Sequence, residues 1–183
     1  MAIALILIAL VVVCALGYIN IRNGIIEKEN RCDNAWETIE TQLQRRNDLI
    51  PNLVEVVKGY AAHESATLEA VTAARSNYVT AATTEAKMDA SNAITGALGR
   101  LFAVAENYPE LKANINFQQL QSDLTDTENK ISYARMSFND CVLAYNNAIE
   151  TFPGNIVAGS AFKARHGFEA ANDAIREAPS VRF

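Results

Sequence analysis

The sequence predicts an all-α protein: an N-terminal transmembrane helix continuing into an antiparallel four-helix bundle, with a mostly irregular C-terminal tail. Three observations predict it. The first 21 residues carry no charged side chain. Beyond them, apolar residues recur at three- and four-residue steps over segments too long for strands. Alternating apolar and polar runs, the mark of half-buried strands, are absent.

The apolar run comes first. Met1 to Ile21 is uncharged, Ala2 to Leu16 is apolar without interruption, and the first charge is Arg22. At about 1.5 Å per residue this run spans roughly 30 Å, the thickness of a bilayer's hydrocarbon core. Tyr18 suits the interfacial belt. A cleaved signal peptide would start with basic residues and end in a small-x-small site, and neither is present. A lipoprotein signal would place a small residue before its cysteine, but Val13 precedes Cys14. A retained anchor is therefore expected. Arg22, Lys28 and Arg31 follow it closely, so the short N-terminus should lie outside and the bundle in the cytoplasm.

The soluble part should form four helices, at about 22–46, 49–79, 86–107 and 116–152. One stripe holds Ile25, Cys32, Trp36, Ile39 and Leu43. A second holds Leu49, Leu53, Val56, Tyr60, Leu68, Val71 and Tyr78, thinning around His63 and Glu64. Ile94, Leu98, Leu101, Phe102 and Ala105 form the third. The longest runs from Phe117 through Leu124, Ile131, Phe138 and Tyr145 to Phe152. Asp48 can cap a new helix with Pro51 in its first turn, which reads as a tight helix–helix turn near 47–48. The alternative is one long helix kinked at Pro51. Thr- and Ala-rich residues 79–85 read as a loop, and Tyr108-Pro109 ends the third helix. Asn116 with Gln119 resembles a capping box for the fourth, and Pro153-Gly154 ends it. Short connections favour antiparallel neighbours. No proline interrupts Ile19 to Asn34, so the membrane helix should run unbroken into the bundle and hold it at a fixed height. The expected domains are a transmembrane helix at 1–21, a four-helix bundle at 22–153, and a docking tail at 154–183. In that tail Phe162, Phe168, Val181 and Phe183 need cover, and a short helix near Glu169–Glu177 is expected.

The net charge of −5 is spread with both signs interspersed, which argues against nucleic-acid binding. Three cysteines, Cys14, Cys32 and Cys141, make no disulfide framework and fit a reducing compartment. His63-Glu64 begins like the zinc-protease motif, but Thr67 stands where a second imidazole is needed. The Glu-x-x-His pairs of di-iron bundles are missing as well, since Tyr60 precedes His63 by three. No phosphate-binding glycine loop or nucleophile elbow is present. Gly96 and Gly99 read as sites of close helix approach, and Cys141 as a core residue beside Val142. Arg45-Arg46 reads as a pair of cations complementing a helix C-terminus. The asparagines of the last helix, 129, 139, 146 and 147, offer hydrogen bonds across helices or to a partner. No catalytic residue, cofactor-binding residue or metal ligand is expected, and no cofactor.

A long set of residues resembles the bacterial LemA family. It begins with Asn34-Ala35-Trp36, Gln42-Leu43 and the run Arg45-Arg46-Asn47-Asp48-Leu49-Ile50-Pro51-Asn52-Leu53-Val54. Lys58-Gly59-Tyr60-Ala61, His63-Glu64 and Ala74-Arg75 follow. The match is dense through Arg100-Leu101, Ala105-Glu106-Asn107-Tyr108-Pro109-Glu110-Leu111, Thr127-Glu128-Asn129, Ala134-Arg135, Tyr145-Asn146 and Phe152-Pro153. Cys32, Glu29 and Ala161 depart from the family's usual residues. The resemblance implies a membrane helix with a small extracytoplasmic end, hence a bacterial inner-membrane protein, and an antiparallel helical bundle. It implies no established enzymatic activity. A relative used in building magnetosome membranes points to a membrane-organising role. The expected partners are the lipid bilayer and a second copy or another membrane protein, with no nucleic acid and no small-molecule substrate. The leading expectation is a non-catalytic, self-associating, membrane-anchored scaffold. The alternatives are an accessory or regulatory subunit of a membrane-associated hydrolase or protease, and a sensor signalling through the first helix.

Overall fold

The computed structural model describes residues 1–168, so the expected helix at Glu169–Glu177 and the end of the tail lie outside the described residues. The described residues are all-α, as the periodicity predicts: α1 (Ala2–Tyr60), α2 (Ser65–Thr80), α3 (Thr84–Ala105), α4 (Pro109–Ala113), α5 (Ile115–Glu150) and α6 (Gly154–Ala158).

The main correction concerns α1. The helix passes straight through residues 47–48, and the break falls at 61–64. Asp48 is no cap. It sits mid-helix and accepts a hydrogen bond from the Gln44 amide, 2.8 Å away. The buried positions explain the continuity. Ile39, Leu43, Arg46, Ile50, Leu53 and Val57 are all buried, at alternating steps of four and three residues. That is a seven-residue repeat held without a phase change. The stripe uses Ile50 and Val57, whereas Val56 is half-buried and Tyr60 exposed. Pro51 removes one amide donor from the helix, the one that would bond the Asn47 carbonyl. The Arg75 guanidinium replaces it: its Nε donates to that carbonyl at 3.2 Å.

By their contacts the residues fall into two compact units. The first comprises Met1–Ile39 and Ala134–Gly167. Its apolar stretch is long and apolar enough to cross a membrane, and none of that stretch is buried. Ile25, Cys32 and Ile39 of α1, Phe138, Val142, Tyr145 and Ile149 of α5, and Val157 and Ala158 of α6 are among its buried residues. Trp36 meets Phe138 edge-on, ring centroids 5.8 Å apart. Cys141, half-buried, neighbours the fully buried Cys32, and both are free thiols. At the end of α5, a Cβ on Gly154 would stand 1.9 Å from the Ala148 carbonyl oxygen, so α6 folds this closely against α5 only with glycine there.

The second unit comprises Glu40–Tyr133 and, of the described residues, Phe168. Here α2 packs against α3. Thr83 caps α3 by accepting from the Ala86 amide at 3.1 Å. Asn114 rather than Asn116 caps α5, accepting from the Phe117 amide at 3.1 Å. Its own amide donates to the Tyr60 hydroxyl at 2.9 Å, tying the start of α5 to the end of α1. Gly96 and Gly99 are exposed, with open space where a Cβ would stand, so they are not sites of close helix approach. Their face of α3 turns away from the buried residues Ile94, Ala97, Leu98 and Leu101.

Candidate functional site

Two polar constellations stand out, one in each unit. In the second unit, Arg46 occupies a core position of the seven-residue repeat and is 1% exposed. Its guanidinium donates to the Ser91 carbonyl at 3.1 Å and the Ser91 hydroxyl at 2.6 Å. It also reaches the Thr95 hydroxyl at 3.0 Å and the Glu128 carboxylate at 2.5 Å. This overturns its reading as a helix-terminal cation: α1 continues fourteen residues further, to Tyr60. Arg45, next to it, is half-exposed and only 3.7 Å from Asp123, the ordinary situation for a surface cation. One arginine therefore joins three helices from within, while its neighbour faces water.

The chemistry of this cluster is that of a staple. The guanidinium can only donate and stays charged at any accessible pH. Its partners are a carboxylate and two hydroxyls already engaged with it. Thr95 donates onward to the Ser91 carbonyl at 3.2 Å. Beside Glu128 lies a mainly apolar recess of about 210 Å³ lined by Leu98, Gly99, Phe102 and Leu124. A more polar cleft of about 360 Å³ holds Glu40, Asp48, Arg75, Tyr78 and Lys87. Each of its charged groups has a partner: Lys87 bonds Glu40, Asp48 accepts from the Gln44 amide, and Arg75 donates to the Asn47 carbonyl. Burial, with a smaller push from Glu40, holds the Tyr78 phenol above its ordinary pKa.

In the first unit, the chain after α6 runs along α5 and is gripped there. Asn146 reads the backbone of Arg165 from both sides, donating to its carbonyl at 2.9 Å and accepting from its amide at 2.9 Å. The Tyr145 hydroxyl donates to the Lys163 carbonyl at 3.1 Å. The Arg165 side chain bonds Asp33 at 2.5 Å and Glu29 at 3.3 Å, and lies over the Tyr145 ring at 5.6 Å. Arg165 gains a carboxylate on each side, which outweighs its partial burial and raises its pKa. Burial, reinforced by Glu29, raises that of Tyr145. Burial likewise pushes the Cys32 thiol up, although Arg165 opposes it, so Cys32 resists becoming a nucleophilic thiolate. Nearer the apolar run, the Arg22 guanidinium sits over the Phe162 ring, 5.7 Å from its centre.

His63 and Glu64 lie in the turn after α1, not on a helix. His63 is exposed, and Glu64 accepts from the Tyr108 hydroxyl at 2.9 Å, which raises the pKa of that phenol. No group of three His, Cys, Asp or Glu side chains suited to a metal ion occurs among the described residues. The sequence reading misplaced Arg46 and gave Arg75 no role. Both lie in runs that resemble the family, Arg45 to Pro51 and Ala74-Arg75, but nothing in the spacing said which arginine turns inward.

The fold and these clusters define an all-α protein with an exposed, bilayer-length apolar helix, whose buried polar groups tie helices together. The chain belongs to the LemA family, whose sequence model matches residues 35–183. Over 145 residues, 77% of the chain, it is 28% identical to the protein LemA of Metamycoplasma hominis, covering 65% of that protein. It is 27% identical to the magnetosome protein MamQ of Magnetospirillum gryphiswaldense, over 65% of this chain and 53% of that one. A MamQ protein of Paramagnetospirillum magneticum is 26% identical over the same shares. The chain thus spans less than two thirds of the length of these relatives, and none of their names denotes an enzyme. The family and the exposed apolar helix together make it a membrane-associated protein of LemA type.

Proposed function

We propose that this protein is a non-catalytic, membrane-tethered helical interaction module. Its apolar helix spans the inner membrane with the N-terminus outside, and its helical part lies in the cytoplasm and self-associates. The observation that carries this reading is the use of its buried polar groups. Arg46 with Ser91, Thr95 and Glu128, and Arg165 with Asp33 and Glu29, hold helices and chain segments together. A catalytic centre needs a nucleophile beside a base with room for substrate; these groups are spent on one another. An anchor also confines the protein to two dimensions and raises its effective concentration for self-association. Exposed apolar residues such as Met136 and Leu143, one heptad apart on α5, offer a face for a second copy. The names of the MamQ relatives place those proteins in magnetosomes, which favours a membrane-organising role here. The alternative of an accessory subunit for a hydrolase or protease drew on His63-Glu64, and there Glu64 accepts from the Tyr108 hydroxyl while His63 stands exposed in a turn. Crosslinking in native membranes should yield discrete oligomers. A monomer at every expression level would refute self-association.

A further inference from the structure

We infer that the corner formed by the end of α5, α6 and Phe162 is a second membrane-contact surface, resting on the bilayer where the anchor leaves it. The inference rests on the anchored reading above and extends it. Its starting point is the register of α5 along α1 in the first unit. Phe138 packs on Trp36, Cys141 neighbours Cys32, and Tyr145 lies among Glu29, Cys32 and Asp33. Rising numbers on α5 meet falling numbers on α1, so the two run antiparallel. Carried on at the same rise per residue, Glu150, the last residue of α5, comes level with Gly24, and Phe152 lies two residues beyond it, close to the level of Arg22, the first charge after the apolar run. The contact of Arg22 with Phe162 brings the segment after α6 within side-chain reach of that arginine.

What this corner exposes matches what the level demands. Phe152 is 79% exposed and Ile156 71%, large apolar side chains standing in the open beside Pro153. The absence of a Cβ at Gly154 lets α6 pass this close to the Ala148 carbonyl at the end of α5, so Ile156 stays near this level. Isolated on a water-facing surface, two such side chains would be a liability. At a lipid interface, aromatic and aliphatic side chains are stabilised among headgroups and upper acyl chains. Arg22, seated over the Phe162 ring, supplies a positive charge beside this corner. The occupant is therefore the lipid surface itself. A single continuous helix can still tilt in the bilayer, whereas anchor and corner together make a two-point attachment.

The test places a single tryptophan by turns at Phe152, Ile156, Leu143 and Val11 of the full chain, in a Trp36→Phe background, in phosphatidylcholine vesicles. The acyl chains carry a nitroxide quencher either near the headgroup or near the bilayer centre. Val11→Trp should be quenched most by the deep label. Phe152→Trp and Ile156→Trp should be quenched by the shallow label at least about twofold more than Leu143→Trp, which stands higher on α5. If Val11→Trp is quenched but positions 152 and 156 match position 143, the corner does not touch lipid. A blue-shifted but unquenched tryptophan there would mean that protein covers it, which also overturns the inference. If Val11→Trp escapes quenching, the anchor itself fails. Should Trp36→Phe disturb folding, the same four variants with Trp36 retained, corrected for its own signal, decide the matter.

Discussion

Replacing Arg75 by leucine should destabilise the protein only as long as residue 51 is proline. Pro51 leaves the Asn47 carbonyl without its helical donor, and Asn47 is 3% exposed, so water does not readily fill the gap. Arg75 Nε fills it at 3.2 Å. A hydrogen bond from a charged group is worth about 1.5–3 kcal/mol, and this one is long and only partly buried, so about 1–2 kcal/mol is expected. In a Pro51→Ala chain, the amide of residue 51 bonds the Asn47 carbonyl directly, and Arg75→Leu should then cost less than about 0.5 kcal/mol. The coupling is about 1 kcal/mol, or roughly 2–4 °C in melting temperature for a chain of this size. Urea and thermal unfolding of the four chains in micelles, followed by helical circular dichroism, give the cycle. Costs that add to within about 0.3 kcal/mol would refute the reasoning, because the carbonyl and the guanidinium would then be independent.

Three further outcomes follow from the same geometry. Arg46→Ala removes bonds to Ser91, Thr95 and Glu128 and opens a void, so it should cost about 2–4 kcal/mol in unfolding experiments, whereas Arg45→Ala should cost under about 0.5. Gly154→Ala drives a Cβ into the Ala148 carbonyl and should lower the melting temperature sharply, while Gly96→Ala, in open space, should raise stability by about 0.5–1 kcal/mol. Tyr78 and Tyr145 are held neutral by burial, so their raised pKa values contribute stability that is complete below about pH 10. That contribution is lost as pH rises through their folded values, and a Tyr145→Phe chain should lose less stability in alkaline unfolding titrations than the parent.

The sequence shows the fold class and the apolar run clearly because each is a property of many residues summed. The boundary between the first two helices was not legible, for a local reason. Asp48 followed by Pro51 is sound chemistry for a helix start, and Arg46-Asn47 put two polar residues where the apolar stripe should continue. Only tertiary partners, Ser91 and Glu128 for one and Arg75 for the other, make those residues compatible with an unbroken buried helix. The true break had a weak signal in the thinning of the stripe at His63-Glu64. The grip of Asn146 on the Arg165 backbone was half legible: the asparagines of α5 announced hydrogen bonding, but spacing does not say which one faces a returning chain. The glycines were misread because an exposed Gly96 and an indispensable Gly154 look the same in sequence.

Attachment to the membrane through the apolar helix is the central claim. Membranes from cells producing the intact chain, washed with alkaline carbonate, should retain it in the pellet, and a chain starting at Arg22 should wash into the supernatant. Recovery of the intact chain in the supernatant would contradict the account.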